Sequence, residues 1–306
     1  MASCRMTTLI CLMSWVLLSA PALGQTPAEE PKTDEEDKTF NLQRDTGQQF
    51  EVEEEEDADR ERFVPAIEAG KLECAFTLGY LNLNTTLLEH EQITYKFTDE
   101  FRYWGDVKLK GESAFNPVLR LGYNVATYFA VEGLFGVSVS KYQAEITRRV
   151  ARSNESGSDD VVFDPPLGEF DAENRSLITL NAGLAGVLYP FNFGGGEGRF
   201  HPYITGGLSR MWWDMNSNYT DNAVATWNTA VGAGFRLIAD DLVSLRLEVT
   251  MNFNKLKFEP AENFELRDEG TRPIPLTTYP TEEPVTEYEA QNLTSLAWAI
   301  GFTASF

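Results

Sequence analysis

Cysteine, histidine, basic clusters and long apolar runs are all scarce in this chain, and each scarcity closes off a class of structure. There are 3 cysteines in 306 residues, and Cys4 and Cys11 fall in the first 24, so Cys74 stands alone in the remainder and no disulfide can form there. The 2 histidines, His90 and His201, leave little imidazole for catalysis or metal binding. Beyond Gly24 no apolar stretch approaches the ~18 residues of a membrane-spanning helix. If the chain lies in a membrane, it must do so as a closed barrel. Lys and Arg number 25 against 47 Asp and Glu, a net charge of −22. With no basic cluster to meet phosphates, nucleic acid is excluded as a partner.

What is present begins with an export signal. Arg5 precedes an apolar run from Leu9 to Leu18 broken only by Ser14, and Ala22-Leu23-Gly24 supplies small residues at a cleavage point before Gln25. Residues 1–24 therefore read as a secretory signal peptide, too short in its apolar part to span a membrane. No cysteine sits at the cleavage point, so no lipid anchor is expected. Residues 25–70 read as an acidic, disordered periplasmic segment. Within it, residues 25–62 hold 15 acidic and 5 basic side chains, including EVEEEEDADRER, and too little apolar surface to offset the entropy of ordering. The segment is expected to serve as a solvated spacer or as a docking strip for a basic partner.

From residue 71 to 306 the pattern changes to short alternating stretches. Leu72, Cys74, Phe76, Leu78 and Tyr80 share one face of a strand, and Leu119, Leu121, Tyr123 and Val125 share another. Further strands run from Phe129 to Val139, Ile178 to Leu188, Tyr203 to Trp212, Trp227 to Leu237, Val243 to Phe253 and Leu296 to Phe306. Period-two alternation with turn residues between is the signature of strands with one apolar face. The connections near 126, 190–201 and 240 are short to moderate, whereas 84–114, 143–175, 215–223 and 260–290 are mostly long and polar. Long loops on one rim and tight turns on the other are the habit of outer-membrane barrels. The fold class expected is all-β: an eight-stranded antiparallel up-and-down transmembrane barrel. Ten strands result if ITYKF and RYWGDVKL in the first long connection also enter the wall. Tyr80, Tyr128, Tyr189, Phe191, Trp212, Trp213 and Trp227, near strand ends, are expected to form interfacial girdles.

NPVLRLGYNVATYFAVEGLFG and the closing AWAIGFTASF resemble the small outer-membrane β-barrel proteins of Gram-negative bacteria, the OmpA/OmpX-like group. The resemblance covers about residues 71–306 and rests on spacing. It implies residence in the cell outer membrane, contact with outer-membrane lipid and lipopolysaccharide, and an assembly signal read by the barrel assembly machinery at Trp298, Phe302 and Phe306. The acidic segment before the barrel and the two long outer connections depart from the pattern.

Alternation places Glu73, Arg120, Glu132, Arg236, Arg246 and Glu248 on the inward face. In an eight-stranded barrel the lumen is just wide enough for side chains to fill it. These residues are therefore expected to form a neutral network closing the lumen, with a selectivity lining as the alternative. A hydrolase or acyltransferase would need a base tied to a nucleophile, and no spacing ties His90 or His201 to a serine. GGGEG at 194–198 reads as a turn, since no helix follows it to hold a phosphate. Asp159, Asp160, Asp164, Glu169 and Asp171 miss the calcium-loop spacing and read as a solvated loop. No cofactor is expected. The leading reading is a non-enzymatic barrel with a structural or surface-interaction role, its outer loops open to an extracellular ligand. A narrow pore or small-solute transporter and a lipid-modifying enzyme are the alternatives.

Overall fold

The computed structural model of the protein describes residues 64–98, 100–155, 159–221, 223–262 and 275–306, with the backbone alone for 170–174. The expected signal peptide, residues 1–24, and most of the segment expected to be acidic and disordered lie outside the described residues. The elements are β1 (Leu72–Asn82), β2 (Thr86–Phe97), β3 (Phe101–Gly111), β4 (Ala114–Ala126), β5 (Phe129–Ser153), β6 (Val161–Leu188), β7 (Phe200–Met215), β8 (Thr220–Asp221), β9 (Val224–Ile238), β10 (Val243–Leu256), β11 (Glu259–Pro260) and β12 (Gln291–Ser305).

Eight strands close on themselves in the order β1-β4-β5-β6-β7-β9-β10-β12, every neighbour antiparallel. The seam joins β1 to β12 from Glu73 opposite Ser305 to Asn82 opposite Leu296. Leu72 and Phe306 lock its lower end by exchanging backbone hydrogen bonds of 2.8 and 3.1 Å. A closed wall leaves no strand edge unpaired, the only way a sheet can cross lipid.

The alternation read in the sequence has a physical outlet. Leu121 on β4, Leu184 on β6, Trp227 on β9 and Phe302 on β12 point away from the lumen and are 62–66 % exposed. Such a belt is unstable in water and is matched by lipid. Tyr80, Tyr128, Phe191, Trp212 and Trp227 stand on the outside as expected of a girdle, but Tyr189 and Trp213 do not: each is 1 % exposed. Trp213 follows outward-facing Trp212 along one strand, so period two turns it inward, and Tyr189 shares the inward phase of Val187.

The outer rim departs from the reading of 143–175 as a loop. β5 and β6 run on for 25 and 28 residues, and the outer part of β5 pairs with β3 from Gly111 opposite Tyr142 to Phe101 opposite Ser153. With β2 paired to β3, a sheet β2-β3-β5-β6 rises beyond the wall. ITYKF and RYWGDVKL form this hairpin outside the closed wall, so the barrel has eight strands. Tyr142, Ala144 and Ile146 are buried on its inner face. Charged residues on its other face pair among themselves, as Lys110 with Glu145 and Lys108 with Glu89, and that density of charge is what makes the stretch read as a loop.

Candidate functional site: the barrel lumen

All the predicted inward charges lie in the lumen and are 2–8 % exposed. Strand register explains their grouping. Arg236 on β9 and Arg246 on β10 are directly opposite each other, an arrangement that would repel if both stayed there. They part, each toward carboxylates.

Arg236 Nη1 donates to Glu73 Oε1 at 2.6 Å, its Nε to Ser244 Oγ at 2.6 Å and its Nη2 to Ser305 Oγ at 2.9 Å. Asn124 Nδ2 adds a bond of 2.7 Å to the same Glu73 oxygen. Arg246 Nη1 and Nη2 donate to Glu132 at 2.5 and 3.2 Å, and Nη2 also reaches Glu248 Oε2 at 3.0 Å. Arg120 joins the same two acids, at 3.1 Å to Glu132 and 2.5 Å to Glu248. Tyr203 completes the group: its hydroxyl accepts from Arg246 Nε at 2.7 Å and donates to Glu248 Oε2 at 2.9 Å. Each group balances its charges, Arg236 with Glu73 and two arginines with two glutamates. Balance of this kind is what makes buried charge tolerable.

Below this layer, toward the short turns, Ile67, Ala130, Val187, Tyr189, Tyr203 and Ile238 form an apolar cluster. Ile67 comes from residues 64–70, which the sequence assigns to the acidic segment. They cross the mouth because Ile67 finds an apolar pocket there.

Above the charges lies a cavity of about 70 Å³ lined by Asn116, Asn181, Ser209, Asn228, Thr250 and Asn252 among others. Its size and polarity suit water. Higher still, the lumen turns apolar. Leu81, Met211, Trp213, Leu293 and Ala297 from the wall pack into one cluster with Leu88, Ile93, Val107 and Leu109 of the β2–β3 hairpin and with Leu276 and Tyr288. Burial raises the Tyr288 hydroxyl well above an ordinary tyrosine.

The stretch 275–285 is clasped over this roof. Thr94 N donates to Thr277 O at 3.0 Å, Tyr279 N to Gln92 O at 3.0 Å and Trp104 Nε1 to Thr277 Oγ1 at 3.4 Å. Glu282 bridges Arg102 of β3 and Arg152 of β5, while Arg152 also pairs with Asp160 at 2.5 Å. Hydrogen bonds from Arg152 hold the Asp160 carboxyl below its usual range.

His90 contacts the Glu91 carbonyl at 2.7 Å through Nδ1 and stands edge-on to Tyr288. His201 lies between Asn192 Oδ1 at 3.1 Å and Gly198 O at 2.6 Å. Among the described residues no His, Cys, Asp or Glu trio is placed to hold a metal. Trp298 and Phe302 face lipid on β12 and Phe306 stands at its end, apart from the lumen groups.

Sequence reasoning did not find Tyr203, Asn124 or Ile67. The signal for Tyr203 is faint, because glycines interrupt HPYITGGLSR and only outward-facing Ile204 and Leu208 set the phase.

No protein-family model matches this chain, and no curated protein matches it. Among solved structures it is similar to the crystal structure of the outer membrane protein OprG from Pseudomonas aeruginosa, at 15 % identity and a TM-score of 0.44 over 79 % of this chain and 98 % of that one. It is also similar to the outer membrane protein AlkL in lipid bilayers, at 15 % identity and 0.36 over 79 % and 92 %. A third is the outer membrane protease OmpT of Escherichia coli, at 9 % identity and 0.30 over 77 % and 97 %. Likeness this distant says nothing of what the chain binds or does. What its own wall, lipid belt and seam establish is an eight-stranded β-barrel of the outer membrane.

Proposed function

We propose that the protein is a non-enzymatic outer-membrane barrel with a structural and surface-interaction role, exerted through the sheet and roof that stand beyond the wall. The observation that carries the reading is the stacking of barriers along one lumen: apolar roof, paired charges, apolar lower mouth. An ion entering would have to displace carboxylates already bound by arginine. A pore needs a water column, whereas the cavity above the charged layer holds about 70 Å³.

The surface offered outward is made of secondary structure. A β-sheet extension of this kind holds a recognition surface at lower entropic cost than a bare loop. Its basic residues are already matched with acids, as Lys108 with Glu89 and Arg149 with Asp106, which favours an extracellular protein or glycan partner over dense phosphate. Contact with lipid and lipopolysaccharide runs along the apolar belt, and the barrel assembly machinery is the expected partner of β12. The non-enzymatic part of the reading draws on the imidazoles: among the described residues neither His90 nor His201 is hydrogen-bonded to a hydroxyl that it could activate.

Liposome swelling tests the proposal. Vesicles carrying the refolded protein should swell in arabinose no faster than protein-free vesicles. Swelling that scales with protein content would replace this reading by the transporter.

A further inference from the structure

We propose that residues 64–70 are a removable stopper of the periplasmic mouth, whose unseating opens the lower lumen without opening the barrel. The wall does not need them. All eight strands pair with one another, and the seam runs from Glu73 upward.

What seats the strap is local and small. Ile67 N donates to Gly196 O at 3.0 Å, Gly198 N to Pro65 O at 2.7 Å and Gly70 N to Asn124 O at 2.7 Å. The one deeply buried side chain is Ile67, at 2 % exposure in its pocket of Ala130, Val187, Tyr189, Tyr203 and Ile238. Its neighbours Glu68, Ala69 and Gly70 are exposed, and Val64 is 57 % exposed. Segments with few buried contacts and solvent-exposed hydrogen bonds open well below the free energy of global unfolding.

The turn beneath is shaped to receive this strap. A Cβ at Gly196 would stand 2.5 Å from the Ile67 carbonyl oxygen, so glycine is what allows the backbones to meet. His201 fixes the same turn from inside, contacting Asn192 and Gly198 on either side of Gly196. Behind Ile67 lie Tyr189 and Tyr203, and Tyr203 touches the charged layer directly. Removing one isoleucine thus brings periplasmic solvent to the underside of the arginine–glutamate network. The strap is also the direct continuation of residues 25–62, with their 15 acidic side chains, so a load on that stretch reaches Ile67 along the chain.

The test uses the whole mature chain in proteoliposomes. In a Cys74→Ser background, Ala130→Cys places a thiol behind the strap, and its modification by a charged, membrane-impermeant methanethiosulfonate is followed by mass spectrometry at that position. Ala66 and Glu197 form an isolated antiparallel bridge, flanked by the Ile67 and Gly198 bonds, the close kind of pair that a disulfide fits. Ala66→Cys with Glu197→Cys therefore locks the strap on oxidation and frees it on reduction, within one folded protein. Oxidation should slow modification about tenfold or more, and Ile67→Ser should speed it by a similar factor, as expected for loss of one buried isoleucine. Equal rates in the oxidised and reduced forms, fast or slow, overturn the stopper. Bilayer conductance should stay unchanged throughout, because the charged layer and roof remain; a strap that fails to move and a lumen that conducts are thus separate results.

Discussion

Arg246→Met should destabilise the barrel by about 3–4 kcal/mol at pH 7, and by about 1 kcal/mol at pH 5. Arg246 donates bonds to Glu132, Glu248 and Tyr203. Methionine preserves much of the volume but leaves two carboxylates facing Arg120 alone. Charged hydrogen bonds are worth roughly 1.5–3 kcal/mol each, and breaking a buried ion network costs about 3–5 kcal/mol. The loss has a ceiling, since the surplus carboxylate can be neutralised by taking up a proton. That uptake costs about 1.4 kcal/mol for each pH unit above the ordinary glutamate value of about 4.3, so roughly 3.7 kcal/mol at pH 7 and about 1 kcal/mol at pH 5. A proton held by the folded variant and not by the unfolded chain stabilises more as pH falls, so the gap between variant and wild type must narrow toward acid. Urea unfolding in detergent micelles, followed by loss of heat-modifiable mobility at both pH values, measures the gap. A gap independent of pH, or one below ~1 kcal/mol at pH 7, would mean that water already solvates these charges and that they form no buried network. Arg246→Met with Glu132→Gln, which restores charge balance, should recover part of the pH 7 loss in a double-mutant cycle.

Other consequences follow from the same contacts. Deleting Phe306 removes the mutual backbone bonds with Leu72 and the terminal lipid-facing ring, and should sharply lower the amount of folded, heat-modifiable barrel in outer-membrane fractions; a normal amount would remove its assembly role. In Gly234→Ala the new methyl would meet the Leu247 carbonyl and stand 2.5 Å from Tyr203 Oη, a cost of about 1–3 kcal/mol, whereas Gly206→Ala, with 3.9 Å to its nearest neighbour, should cost far less in the same unfolding assay. Asp160 is held below its usual range by Arg152, and a carboxylate so depressed stabilises above its ordinary value of about 3.9 and loses that contribution as pH falls through its folded value. The roof clasp should therefore stay closed from pH 8 to about 5 and loosen below about 4, read from the emission of Trp104 in a single-tryptophan variant.

The sequence carried the wall further than it carried the rim. Leu72 to Tyr80 and Leu296 to Phe306 alternate strictly because one face meets lipid and the other a narrow lumen, and that constraint is written into every second residue. The same alternation placed Glu73, Arg120, Glu132, Arg236, Arg246 and Glu248 inward, though it could not say that Arg236 turns to Glu73 while Arg246 turns to Glu132. That choice depends on which strands face each other across the barrel, a long-range fact. The stretch 143–175 misled because its outer face is charged and its partner β3 lies about 40 residues upstream, opposite Tyr142 to Ser153. Trp213 and Tyr189 misled because a girdle is recognised by residue type, while period two decides the side. Ile67 was hidden by composition, since one apolar residue at the end of an acidic segment has no periodicity to announce it.

If the lumen is closed by paired charge beneath an apolar roof, as proposed, planar-bilayer recording of the refolded protein reads that closure without an intermediary. The prediction is no steady open level at applied voltages of either sign, in the wild type and in strap-locked protein alike. A large, steady, ion-selective conductance from the wild type would contradict it, and would make Arg120, Glu132, Arg246 and Glu248 the lining of an open pore.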